Sequence, residues 1–213
     1  MGANLSSAVR QQRAEPHGSL DDFPTPPWAT RALCAWAAGR GMIPPLAEVR
    51  EPAANRGHMA RVLAEYFDRV HASDIHDYGA GYPVADYLFG PPPAPTMWTI
   101  TNPPFRLAAQ FIARARHCSP NVAMIVRTAF LEGGARWRDI FDADPPRHVL
   151  QFSERVVMHK GRLSETGSTA TAYCWLVWMG RGGAAPELGW LPPGTRKRFE
   201  RDGDYHEIGG LHG

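Results

Sequence analysis

Apolar positions along the chain alternate between a period near two and a period near three and a half. After a polar, aperiodic stretch over residues 1–20, "DDFPTPPWATRALCAWAAGRG" reads as a turn feeding a helix, opened by Pro26 and Pro27 and closed by Gly39 and Gly41. "AEVRE" follows as a short strand ending at Glu51. "GHMARVLAEYFDR" sets Met59, Val62, Leu63, Tyr66 and Phe67 at helical spacing, and "RVHASD" is a second strand ending at Asp74. "MWTIT" is a third strand, "RLAAQFIARARH" an amphipathic helix through Leu107, Phe111 and Ile112, and "NVAMIVR" a fully buried strand. A short helix around "RWRDIF" precedes two late strands, "RHVLQFS" and "TAYCWLVW".

This alternation predicts an α/β domain over residues 21–180, with a mostly parallel twisted sheet and helices on both faces. Residues 1–20 read as a flexible tail, and residues 181–213, rich in Gly and Pro, as an extended tail with little core of its own. In such sheets ligands gather at the carboxyl ends of the strands. Glu51, Asp74 and Asn102 are therefore expected along one edge.

Composition narrows the setting. A length of 213 residues suffices for one domain with a sizeable core. No apolar run is long enough for a membrane span, and the N-terminal residues lack an apolar signal core, so a cytoplasmic protein is expected. Cys34, Cys118 and Cys174 stand far apart inside apolar segments and read as reduced, buried thiols. The nine histidines assemble no metal site. The net charge is +2, split as −2 over residues 1–100 and +4 over 101–213. That division fits a cofactor-facing half and a polyanion-facing half, and it fits ordinary scatter of surface charge equally well.

The chemistry concentrates in "MWTITNPPFR". Each residue before a proline is pushed towards extended geometry, and neither Pro103 nor Pro104 can donate a hydrogen bond. The strand end thus offers a row of acceptors, the Asn102 amide oxygen and adjacent carbonyls, beside the flat ring of Phe105. A planar ring carrying an exocyclic amine fits this set, donating to the acceptors while stacking on the phenyl. The alternative is a proline-stiffened turn with a buried Phe. A second feature is "REPAANRGHMA", a strand ending in an acid, a loop of small residues, and a helix starting near Gly57. Gly57 permits close approach of a ligand to the backbone, and Asn55 tolerates a left-handed conformation. Asp74, again at a strand end, is placed to hold ribose hydroxyls.

Together "FPTPPWATRAL", "EPAANRGHMA" with "ASDIHDYG", "ITNPPF" and the late "ERVVMHKGRL…TATAYCWLVW" resemble the S-adenosylmethionine-dependent amino-methyltransferases that act on adenine N6 in DNA, of the short phage and prophage type. The resemblance runs from about Phe23 to Trp178 and implies a Rossmann-like class I methyltransferase fold with a late antiparallel strand. It implies that Phe23, Thr25 and Pro26 line the methionine end of S-adenosylmethionine. Glu51, Pro52, Ala53, Asn55 and Gly57 would form the loop beneath that cofactor, Asp74 and Ile75 would meet its ribose, and Asn102 would border it. Asn102, Pro103, Pro104 and Phe105 would form the catalytic motif, holding and stacking a target adenine flipped out of double-stranded DNA. The family usually carries Gly where this chain has Asn55.

Arg155, Lys160 and Arg162, in the basic loop between the late strands, either contact phosphates or are solvated loop charges. No separate recognition region is evident, so loose specificity, a homodimer or a partner would have to supply one. Two alternatives stay open: the same fold acting on a protein glutamine amide or an RNA base, and a nucleic-acid-binding module with weak catalysis.

Overall fold

The computed structural model describes residues 21–181 and 185–206. Residues 1–20, read as a flexible tail, lie outside the described residues. In chain order the elements are α1 (Pro27–Ala38), β1 (Glu48–Glu51), α2 (His58–Leu63), β2 (Arg69–Ala72), β3 (Trp98–Thr101), α3 (Ala108–Cys118), β4 (Asn121–Arg127), α4 (Gly134–Arg136), β5 (His148–Phe152), β6 (Tyr173–Met179), β7 (Glu187–Leu191) and α5 (Thr195–Phe199).

Seven strands form one sheet in the order β2-β1-β3-β4-β6-β5-β7. β2, β1, β3 and β4 are parallel neighbours, whereas β6 runs antiparallel to both β4 and β5. The two central strands are buried on both faces, which is why they read as continuous apolar runs rather than alternating ones. Their side chains nevertheless divide by parity. Ala123, Ile125, Tyr173, Trp175 and Val177 join the core under α1, whereas Val122, Met124, Val126, Cys174, Leu176 and Trp178 join the core under α3.

The two indoles of β6 find acceptors, as a buried N–H requires. Trp175 Nε1 donates to the Ala29 carbonyl at 3.2 Å, and Trp178 Nε1 to the Asp144 carbonyl at 2.8 Å. The helix α1 begins with Pro27 at its first turn, where no amide N–H is missed, and stops at Gly39. Cys34, Cys118 and Cys174 are free and buried. No helix among the described residues is long and apolar enough to cross a membrane.

The segment from 181 onward departs from its composition. Within the described part, β7 pairs in parallel with β5 through five residues, Leu191 is buried, and α5 packs against α1. Arg31 of α1 reaches the far end of this segment, donating to both carboxylate oxygens of Asp204 at 2.7 and 2.9 Å. Partners more than 160 residues apart hold this piece in place, and local Gly and Pro content carries no trace of them.

Candidate functional site

The strand order places the site. The chain passes from β1 outward to β2, then crosses back to the other side of β1 to form β3. Parallel strands leaving in opposite directions open a crevice at their carboxyl ends. Here a cavity of about 760 Å³ lies beyond the ends of β1, β2 and β3. Its wall contains Phe23, Thr25, Glu51, Pro52, Ala53, Asn55, Asp74, Ile75, Asn102, Pro104 and Phe105, so eleven of the residues singled out by sequence converge on one space. Pro26, Gly57 and Pro103 are buried just behind that wall. Arg155, Lys160 and Arg162 are exposed and do not line it. Gly161, between the latter two, donates its N–H to the Asp22 carbonyl at 2.8 Å, which docks their loop on the N-terminal segment.

Asn102 leaves β3 just past Thr101. Its Nδ2 donates to the Phe23 carbonyl at 2.8 Å and points at Met158 Sδ, 3.7 Å away. A carbonyl can only accept, so the amide orientation is fixed by chemistry. The consequence is that Asn102 Oδ1 is buried without a hydrogen-bond partner. An unsatisfied buried acceptor costs about 1–3 kcal/mol. Other buried side-chain oxygens in the cavity wall share that condition, among them Thr25 Oγ1 and Glu51 Oε2.

Glu51 ends β1 and is fully buried. Its Oε1 accepts from Thr101 Oγ1 at 2.5 Å and from the Ala53 N–H at 3.3 Å. Burial pushes its carboxyl well above the usual range, the nearby Asp74 charge adds to this, and the two hydrogen bonds oppose it. His58, also in the wall, is pushed down to about 4 by burial and by the charges of Arg61 and Arg56, so it is neutral near pH 7.

The loop between β1 and α2 is shaped as the sequence suggests at Asn55, whose φ is +51°. Its side chain does not stand free beside the cavity, however. Nδ2 donates to Asp22 Oδ1 at 2.7 Å, and Oδ1 accepts from the Arg56 N–H at 2.7 Å. Gly57 has φ +81°, as a left-handed turn needs, but the group in close approach is a side chain of this chain: a Cβ at Gly57 would fall 2.9 Å from Tyr82 Cζ. Asp74 accepts the Asn55 N–H at Oδ2, 2.8 Å, and the His76 N–H at Oδ1, 3.0 Å. A carboxylate has about four lone-pair sites, so two remain for a ligand.

Phe105 N–H donates to Asp21 Oδ2 at 2.5 Å, which ties the Asn-Pro-Pro-Phe loop to the N-terminal segment. The ring sits 5.3 Å from Phe23 and 6.5 Å from Tyr173, both tilted, and the Arg127 guanidinium lies 4.0 Å over it. Sequence reasoning missed Arg127, Met158, Asp21 and the segment around Asp86, Leu88 and Phe89, all at or beside the cavity. For Met158 a signal existed, the apolar "VVM" inside an otherwise polar loop. For 77–96 there was none, because a parallel bridge from Asp74 to Val84 holds it against the end of β2 without periodicity. Among the described residues no group of His, Cys, Asp and Glu is arranged to hold a metal ion.

No protein-family model matches the sequence, and no curated protein matches it. In three dimensions the chain is similar to a Listeria monocytogenes protein designated a class I S-adenosylmethionine-dependent methyltransferase, with TM-score 0.62, 13% identity, and coverage of 85% of this chain and 71% of that one. It is similar to a type I restriction-modification methyltransferase subunit from Streptococcus thermophilus, with TM-score 0.57, 10% identity, 86% of this chain, and 50% of that one. It is also similar to a Pyrococcus horikoshii protein designated an RNA methyltransferase, with TM-score 0.55, 16% identity, and coverage of 78% and 91%. The chain thus spans about half of the restriction-modification subunit. These likenesses establish the fold as the Rossmann-like class I methyltransferase fold.

Proposed function

We propose that the chain transfers a methyl group from S-adenosylmethionine to the exocyclic N6 amine of adenine in DNA. The observation that carries this reading is Asn102 Oδ1, a buried acceptor without a partner, oriented by the Phe23 carbonyl and adjoining the ring of Phe105. Such an acceptor calls for an N–H donor attached to something flat.

The residues fit the cofactor. Glu51 Oε2 and Thr25 Oγ1 are buried and lack partners, and S-adenosylmethionine brings an ammonium and other donors to satisfy them. Phe23, Thr25 and Pro26 would hold its methionine end, with Glu51, Pro52, Ala53, Asn55 and Gly57 as the loop beneath. Asp74 would take ribose hydroxyls on its two remaining lone-pair sites, with Ile75 beside it. The similarity to a protein designated S-adenosylmethionine-dependent supports the same assignment. The cofactor supplies an activated methyl on sulfur, so no metal and no covalent nucleophile is required of the chain.

What the chain must do is present a poor nucleophile well. The adenine amine has its lone pair delocalised into the ring. Donating its two N–H groups to Asn102 Oδ1 and the Pro103 carbonyl favours a pyramidal nitrogen with the lone pair available. Those bonds strengthen as positive charge develops on nitrogen, which is where stabilisation lowers a barrier. Phe105 would stack on the base, offsetting part of the cost of flipping it from a duplex, and Pro104 would keep the motif extended. Arg155, Lys160 and Arg162, docked beside the N-terminal segment, would meet the DNA backbone.

DNA incubated with the protein and methyl-labelled S-adenosylmethionine is expected to yield N6-methyladenine on nucleoside analysis. Label found only in RNA or in protein glutamine would move the substrate to that class. The RNA alternative draws on the likeness to the Pyrococcus horikoshii protein, most of whose length this chain matches.

A further inference from the structure

β4 carries six buried residues and ends in an exposed arginine, Arg127, at the carboxyl edge of the sheet. Its partner across the antiparallel ladder is Tyr173. Instead of leaving for solvent, the side chain turns into the cavity wall, with the guanidinium carbon 4.0 Å from the centroid of Phe105. The same wall holds the carboxylates of Asp21, Glu51, Asp74 and Asp86. Yet Arg127 forms no ion pair within 4.0 Å among the described residues, whereas nearby Arg56 pairs with Asp22 at 3.0 Å.

A guanidinium is flat, stacks on aromatic faces and keeps its charge at every accessible pH. Its thickness is that of a nucleobase. A base stacked on the same face of Phe105 needs the slot that Arg127 fills, so the two exclude each other there. An expelled guanidinium keeps five N–H donors in a fork shaped for a phosphate, and no carboxylate holds it back. A target nucleotide delivers a phosphate with its base.

We propose that Arg127 is an exchange residue of the acceptor site. It covers Phe105 while the site is empty, gives way to the incoming base, and then binds a phosphate flanking that nucleotide. This rests on the reading that a base of DNA stacks on Phe105. It adds a DNA contact at the cavity wall itself, beside those of Lys160 and Arg162 outside it, and it explains why the Phe105 ring is shielded without being blocked.

The test is the salt dependence of binding to single-stranded oligo-dA, followed by fluorescence anisotropy with S-adenosylmethionine present. Each phosphate neutralised on a single strand adds about 0.7 to the slope of log K against log salt. Arg127→Ala and Arg127→Gln should both flatten the slope by about that amount, and Arg127→Lys should restore it, since a point charge suffices for a phosphate. Cofactor affinity by calorimetry should stay parental in all three, which shows the variants fold. A parental slope in Arg127→Ala and Arg127→Gln, with or without tighter binding, would overturn the proposal and leave Arg127 as a cover only. If the parent methylates adenine neither in duplex DNA nor in oligo-dA, the underlying reading fails, and that result is distinct from a failure of Arg127 alone.

Discussion

Asn102 divides its amide between two roles. Nδ2 holds the Phe23 carbonyl, and Oδ1 is buried without a partner, which is where the proposed function places the substrate amine. Asn102→Ala removes both, yet Glu51, at the head of the loop after β1, keeps its own bonds to Thr101 and Ala53. Turnover should fall about a hundredfold or more, by analogy with a lost oxyanion-hole donor, while S-adenosylmethionine affinity falls only by the roughly fivefold that one lost strap bond of about 1 kcal/mol accounts for. Methylation of DNA at the parental rate would return "TNPPF" to a stiffened turn. Asn55 yields a different prediction once its side chain is seen. From sequence, glycine should serve there as well, since only the positive φ seemed to matter. In the structure the amide is bonded to Asp22, so Asn55→Gly loses a charge-assisted hydrogen bond that helps hold the N-terminal segment. Weaker S-adenosylmethionine binding by about 1 kcal/mol, roughly fivefold, is expected from calorimetry. Tighter binding would mean the tether is irrelevant to the cofactor. The contrast shows what was legible. Backbone demands at Asn55 and Asn102 follow from residue type and neighbours, whereas the company of their side chains does not. Gly57 makes the same point: its need for a bare Cα was readable, but the group pressing on it, Tyr82, lies 25 residues away.

Residues 21–25 act as a strap across the site. Asp21 takes the Phe105 N–H, the Phe23 carbonyl takes Asn102, and Asp22 takes Asn55 and Arg56. One short extended segment therefore connects the Asn-Pro-Pro-Phe loop to the loop above β1. Periodicity could not reveal this, because extended chain has no repeat and its partners sit 33 to 84 residues away. The resemblance in "FPTPPWATRAL" pointed to the same segment without giving the contacts. Within α1, Arg31 anchors the region after β7. It is bonded to Asp204 and Glu65 and to the Phe199 carbonyl at 2.9 Å, with its side chain almost wholly buried. Removing one partner of a buried pair strands the other. Arg31→Ala should therefore lower unfolding free energy by about 3–5 kcal/mol in urea titration. Replacing Arg31 and Asp204 together by apolar residues of similar size should recover much of that. If Arg31→Ala cost under about 1 kcal/mol, the segment after β7 would be only loosely attached. The strands and helices of residues 47–127 and the pair β5 and β6 were readable from pattern, since all but the half-exposed edge strand β2 bury an apolar face. β7 and α5 were not, since half-exposed edge elements carry a weak pattern and are held by distant partners.

At the scale of the whole molecule, the sheet order turns two strand ends into a crevice, and the crevice buries a carboxyl. Alternating strands and helices were enough to expect Glu51, Asp74 and Asn102 on one edge. They could not give the degree of burial, which depends on the strap, on α2 and on β3 closing together around Glu51. That burial has a pH signature. Glu51 is raised well above the ordinary carboxylate range, chiefly by desolvation and further by Asp74. The folded protein therefore holds this proton more tightly than the unfolded chain does. Its stabilising contribution is complete below the unfolded value near 4.5 and is lost as pH rises through the folded value. A bound cation beside the unpartnered Oε2 favours the ionised form, so S-adenosylmethionine binding should release a proton from Glu51. Affinity should consequently rise with pH through the shifted value and level off above it. Calorimetric binding enthalpies should differ between buffers of different ionisation enthalpy by the amount of proton released. Glu51→Gln keeps an oxygen for Thr101 but cannot ionise; its affinity should be weaker and its enthalpy independent of buffer. His58, neutral down to about pH 4, adds little to the signal near neutrality. Buffer-independent enthalpy in the parent, across the range where affinity changes, would show that the cofactor does not meet the Glu51 carboxyl and that its methionine end lies elsewhere in the cavity.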